Sequence, residues 1–146
     1  ADGMKGIALT DHGNMMGIKE FYNYVNKINK DKEGDKKFKP IIGCEVYVAP
    51  RTRFDKEANI DNHYSHLILL AKNETGYKNL SKLVSMGFTD GFYYKPRIDL
   101  EILEKYHEGL ICLSACLAGS VNKQILKNDI EEAEKVFRKH LKLTNI

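Results

Sequence analysis

Six side chains able to ligate a metal or move a proton stand beside predicted strands. Asp11 and His12 close the first strand, Glu45 lies within the second, His63 and His66 open the third, and Cys116 follows the fourth. In α/β proteins, chemistry gathers where strands end, on loops held by the scaffold. The gaps are 33 residues from His12 to Glu45, 21 on to His66 and 50 on to Cys116. They match no compact zinc motif. A site made from these residues is therefore assembled by the fold, one ligand per strand. Two imidazoles (His12, His66), one carboxylate (Glu45) and one thiolate (Cys116) suit zinc or a similar borderline transition metal better than Mg²⁺ or Ca²⁺, which prefer oxygen.

Each residue also has a plainer reading. A lone histidine beside a strand is usually a surface or hydrogen-bonded group, and a free cysteine is often simply a small buried hydrophobe. Glu45 is harder to dismiss. In Ile41-Ile42-Gly43-Cys44-Glu45-Val46-Tyr47-Val48, alternation puts it on the face of Gly43 and Tyr47. A carboxylate inside such an apolar strand is costly to bury without a cation or donors. Gly43 next to it suggests close approach of another group. Phe92-Tyr93-Tyr94-Lys95-Pro96-Arg97 interleaves aromatics with cations. Lys95 and Arg97 there could hold a phosphate while the rings stack on bases; equally, the tyrosines could cover the next helix.

The elements that position these groups follow from periodicity. Gly6–Thr10 reads as a strand, followed by a helix with its apolar stripe at Met15, Ile18, Phe21, Tyr22, Val25 and Ile28, capped by Asn14. Lys30–Lys39 reads as a solvated loop. Ile41–Ala49 and Tyr64–Ala71 are strands, and Arg51–Asn62 between them has no helical stripe. Thr75 is placed to cap a helix ending near Gly87. Asp99 caps a short helix stopped by Gly109, Leu110–Ser114 is a strand, and two helices follow, the last starting at Asp129. Strands alternating with helices predict an α/β fold with a largely parallel sheet. Four strong strand candidates fall short of a closed (β/α)₈ barrel, so any barrel here is partial.

The 146 residues suit one domain, and 42% hydrophobic with 29% charged residues argues against disorder. The longest apolar run, Leu67–Ala71, cannot cross a bilayer, so no membrane association is expected. A net charge of +3 permits a nucleic-acid partner without arguing for one. The three cysteines, Cys44, Cys112 and Cys116, form no CxxC pair and predict reduced thiols in a cytoplasmic setting. The opening Ala1-Asp2-Gly3-Met4-Lys5 has neither an initiator methionine nor a signal-peptide pattern, and reads as part of a longer chain.

Ile7–Met15 followed by Ile41–Tyr47 resembles the PHP (polymerase and histidinol phosphatase) domain. His66–Leu80, Lys95–Asp99 and Gly109–Gly119 are similar to its version in bacterial DNA polymerase III alpha subunits. The resemblance covers nearly the whole chain in order. It implies a distorted (βα) barrel holding divalent metal ions, zinc foremost with manganese as the alternative. His12, Glu45, His66 and Cys116 match ligand positions, and Asp11 matches a group that orients His12; Asp11, His12 and Glu45 would form the catalytic set. His63 has no family role. The family's opening His-x-His and closing Asp-x-His motifs fall outside residues 1–146, which would make this chain the central portion of one such domain. The implied activity is metal-dependent phosphoester hydrolysis, 3′→5′ trimming of DNA beside template-directed synthesis elsewhere in the parent chain. DNA, the remaining polymerase domains and replisome subunits would be partners. A structural metal staple and a small-molecule phosphoesterase of the histidinol phosphatase kind are the alternatives.

Overall fold

The computed structural model describes residues 3–144, with side chains through Leu141. Its strands are Gly6–Leu9 (β1), Lys39–Val48 (β2), Ser65–Ala71 (β3), Phe92–Tyr93 (β4), Lys95–Ile98 (β5) and Leu110–Leu113 (β6). Its helices are Ile18–Ile28 (α1), Glu74–Thr89 (α2), Leu100–Lys105 (α3), Ser120–Leu126 (α4) and Ile130–Thr144 (α5).

The long strand β2 organises the sheet. β1 runs parallel to it over Lys39–Ile42 and β5 parallel to it over Tyr47–Val48, so these two share one edge. β3 takes the other edge, antiparallel, and β6 lies antiparallel to β3. β4 folds back antiparallel on β5. Thus β1, β2, β5 and β6 point one way, with β3 and β4 reversed. The path β4-β5-β2-β3-β6 does not close. This is the α/β, parallel-leaning partial barrel that the sequence predicts.

Alternation along β2 and β3 gives the sheet two different faces. Cys44 and Val46 pair with Leu69 and Leu67, and all four are at most 2% exposed. They meet Leu80 and Leu83 of α2, Ile98 of β5, and Ile102 and Leu103 of α3 in the main core. The opposite face carries Gly43, Glu45 and Tyr47 beside His66, Ile68 and Leu70. One strand thus serves the core with one set of residues and the site with the alternate set.

Local chemistry sets the helix ends. The Asn73 side chain accepts from the Gly76 amide and caps α2 two residues ahead of the expected Thr75. Asp99 caps α3 as expected, through the Ile102 amide. Asp129 likewise accepts from the Glu132 amide at the start of α5. α1 begins later than its apolar stripe suggests: Asn14 spends its side chain on the Met16 amide in a local turn, and Gly17 is the N-cap. The aromatic stretch expected as a loop is instead the tight β4–β5 hairpin, with Tyr94 at φ 58° between the strands.

Candidate functional site

Backbone pairing assembles the site. The Gly13 amide donates to the Glu45 carbonyl at 2.9 Å, and the Glu45 amide donates to the Asp11 carbonyl at 3.0 Å. Together they make a parallel bridge between His12 and Glu45. Gly13 has φ 70°, and a Cβ there would stand 2.7 Å from the Tyr47 ring, so only glycine fits this close approach. Gly43 fulfils its predicted role in the same way, with Thr10 and Leu70 crowding the place of its absent side chain. Across the sheet, Tyr47 pairs with His66, which puts His66 diagonally beside Glu45 on one face. From the far side, the His66 amide donates to the Ala118 carbonyl and forms a bridge to Gly119. That bridge brings in the turn carrying Cys116.

Four side chains meet as a result. Glu45 Oε2 accepts from His12 Nδ1 at 2.8 Å, and Glu45 Oε1 accepts from His66 Nδ1 at 2.5 Å. Cys116 Sγ lies 3.5 Å from His66 Nδ1 and 3.8 Å from Glu45 Oε1. Ligand atoms of Glu45, His66 and Cys116 all fall within 4.8 Å of one another. His12 joins through the other carboxylate oxygen, its ring centroid 6.4 Å from that of His66. Nitrogen, carboxylate oxygen and sulfur in so small a space fit a borderline divalent metal. The side is open: the His12 side chain is 70% exposed and Cys116 is exposed, whereas Glu45 is 11% exposed.

Burial separates the three cysteines, which sequence spacing does not. Desolvation pushes the Cys44 thiol up to about 12 and that of Cys112 up to about 11, so both stay protonated and inert. Two tyrosines wall the site. Tyr64 stacks on His66 with the rings 6° from parallel and 5.9 Å apart, and Tyr47 meets His66 edge-on at 5.2 Å. These contacts hold the imidazole plane, and sequence reading left both tyrosines unassigned.

The remaining predicted residues divide. The Asp11 carboxylate accepts from the Gly17 amide at 3.3 Å, so it braces the turn leading into α1, and Glu45 rather than Asp11 orients the His12 ring. His63 is exposed and stands outside the cluster. Lys95 is exposed at the site's edge, its ammonium 5.7 Å from the Tyr47 ring centre. Arg97 overturns its expected role in nucleic-acid binding. It is 0% exposed, and its guanidinium donates to the carbonyls of Gly91, Asp61, Arg53 and Asp55. The reason is that the loop between β2 and β3 has no regular structure to satisfy its carbonyls, and a planar five-donor fork can. A long unpatterned loop facing an arginine in a strand is the signal that could have shown this.

A hollow of about 610 Å³ lies at the other end of the sheet, lined among others by Ile18, Tyr22, Pro40, Ile42 and Tyr77. It includes none of the four convergent side chains, so volume alone does not locate the chemistry.

The PHP domain family model matches residues 1–145. The chain belongs to the PHP domain family. This PHP domain is 49% identical over 145 residues to DNA polymerase III subunit alpha of Treponema pallidum (strain Nichols), covering 99% of this chain and 12% of that protein. It is 50% identical over 132 residues to the protein of the same name from Borreliella burgdorferi, covering 90% and 11% respectively. It is 45% identical over 143 residues to that of Aquifex aeolicus, covering 94% and 12%. The chain thus spans only about an eighth of the length of these curated relatives. Among the described residues no helix is long and apolar enough to cross a membrane.

Proposed function

We propose that residues 1–146 are the central portion of a single PHP domain in a replicative DNA polymerase III alpha subunit, and that the domain is a metal-dependent phosphoesterase acting 3′→5′ on DNA. The carrying observation is the division of one carboxylate between two imidazoles, with a thiol 3.5 Å from one of them. On this reading His12, Glu45, His66 and Cys116 hold divalent metal, zinc foremost and manganese as the alternative. Bound there, the metal would polarise a phosphodiester and activate water for its hydrolysis.

The chain's own residues do the positioning. Glu45 fixes both imidazole rings, while Tyr64 and Tyr47 hold the plane of His66. Asp11 braces the turn that carries His12. Lys95, exposed at the rim, would attract a phosphate on this reading, and Arg97 takes no part in that. Structural zinc sites are closed by four protein ligands, whereas catalytic ones keep a position open. Four protein ligands on one ion would match the closed pattern, so the support for catalysis is the exposure of His12 and Cys116, which gives a substrate access to the cluster.

A second reading has one observation behind it. Glu45 already ties His12 and His66 by hydrogen bonds, so the cluster could link β1, β2 and β3 as a structural element only.

The test uses the full-length polymerase subunit with and without bound metal. Hydrolytic reading: His66→Ala abolishes release of 3′-terminal nucleotides while primer extension persists. Structural reading: chelation lowers the melting temperature and no nuclease activity exists to lose. A parent that cleaves a small phosphate monoester but neither extends nor trims primers belongs with the histidinol phosphatases instead.

A further inference from the structure

The thiol is the least anchored member of the cluster. It comes from a turn rather than a strand, and Ala115 just before it has φ 62°, a left-handed conformation that alanine rarely adopts. Something must hold this turn against β3, and the first turn of α4 supplies it. Asn122 Nδ2 donates to the Cys116 carbonyl at 2.8 Å and to that of Ala115 at 3.3 Å, bonding both carbonyls of the strained turn. Lys123 Nζ donates to the Tyr64 carbonyl at 2.7 Å, reaching across to the residue whose ring stacks on His66. Between these bonds lies the His66 amide to Ala118 carbonyl bond, at 3.1 Å.

We propose that Asn122 and Lys123 form a latch from α4 to the start of β3, positioning Cys116 and His66 relative to each other. This rests on the metal-holding reading for its purpose, but not for its existence. The latch joins two segments far apart in sequence at the one place where the ligand set lacks a sheet to order it. Burial holds the Lys123 ammonium below the ordinary lysine value, and the Cys116 sulfur nearby opposes that shift. Neither residue touches substrate; both act through Cys116 and His66.

The test is made on the full-length subunit, with primer extension as the control for folding. Two readouts are followed in wild type, Lys123→Met, Asn122→Ala and Lys123→Arg. The first is amide hydrogen exchange at His66, which needs no metal. Lys123→Met is expected to speed exchange there at least about tenfold, leaving Leu69 in the same strand unchanged, and Lys123→Arg is expected to restore protection. Unchanged exchange at His66 in both Lys123→Met and Asn122→Ala overturns the latch, whatever the metal does. The second readout is titration with Co²⁺, followed by the thiolate-to-cobalt charge-transfer absorption. Residues that orient ligands typically contribute about 10–100-fold to metal affinity, and a loss of that size with a weakened thiolate band is expected in Lys123→Met. Full affinity and an intact band in that variant overturn the positioning role. If wild type itself gives no cobalt spectrum, the metal-holding reading fails, while the exchange data still decide the latch.

Discussion

Two polar clusters lie close together in this PHP domain and are built on opposite plans. Around Arg97, guanidiniums and carboxylates are mostly buried and paired; the exception is Arg53 Nε, whose nearest carboxylate, Asp90, is 3.7 Å away. Arg97 is 0% exposed and serves four carbonyls, and Arg53 pairs with Asp99 at 3.0 Å, Asp99 being 2% exposed. Around Glu45, two imidazoles share one carboxylate and a thiol makes only long contacts, with His12 and Cys116 open to solvent. The first cluster commits nearly all its donors and acceptors to the chain itself, as buried polar groups do. The second keeps nitrogen, oxygen and sulfur lone pairs at an open rim. A cluster that stabilises is closed and satisfied; one that can hold an ion is open and has capacity left over.

Removing the centre of each cluster should therefore have opposite consequences, and Arg97 gives the larger effect on folding. Arg97→Met deletes donors to three buried carbonyls and one part-buried one, and a loss of about 3–5 kcal/mol of stability is expected. Thermal unfolding measures it; a melting temperature within a degree or two of wild type would break the contrast. Glu45→Gln keeps size and most hydrogen-bonding capacity but removes the charge. Metal affinity should fall on the order of 100-fold or more, with the fold retained. Metal content after dialysis measures this, and wild-type stoichiometry in Glu45→Gln would remove Glu45 from the ligand set.

The contrast also explains what could be read from the chain before its structure. Of the four convergent residues, Glu45 is legible by itself, as a carboxylate inside an apolar strand, whereas His12, His66 and Cys116 each admit a plainer reading and enter the set through the family resemblance. Strand alternation then fixed which side of β2 Glu45 must face. The Arg97 cluster was not legible, because an arginine among tyrosines has the same composition whether it binds phosphate or neutralises loop carbonyls. The loop that demands those donors is recognised only by its lack of pattern. Asp11 departs from its expected role for a similar reason: neighbours in sequence point to opposite sides of an extended segment, so the residue beside His12 braces the α1 turn instead. The α1 cap shifts because Asn14 bonds the Met16 amide in a local turn, and the α2 cap because Asn73 rather than Thr75 accepts from the Gly76 amide; periodicity decides neither.

Acid should loosen the closed cluster through its outer pair. The Arg51 guanidinium holds the Asp61 carboxyl below the usual carboxylate range, and the Thr52 hydroxyl and amide do the same for Asp55. A lowered carboxylate contributes stability that is fully present above the unfolded value of about 3.9 and is lost as pH falls through the lower folded value. Protease cleavage between Arg51 and Asp61 should thus rise as pH drops below about 3.9, with an acid-active protease as reporter. Asp61→Asn should make the loop more cleavable than wild type at neutral pH too, read there with a neutral-active protease. If cleavage is flat with pH in wild type, Arg51 and Asp61 do not hold the loop.

The smallest effect is expected at Lys95, where the two plans meet. It belongs to the same β5 strand as Arg97 but is exposed, beside Tyr47 at the rim of the open cluster. Its replacement leaves no buried group unpaired, so Lys95→Ala should leave the melting temperature unchanged. If it meets a phosphate, binding of single-stranded DNA by the full-length subunit should weaken a few-fold at low salt, and the slope of log affinity against log salt should decrease by about 0.7–1. Arg97→Met, measured under conditions where it stays folded, should keep the wild-type slope, because a guanidinium committed to four carbonyls has no counterion to release. Equal slopes for Lys95→Ala and wild type would leave β5 with no contact to nucleic acid and make it purely a supporting strand.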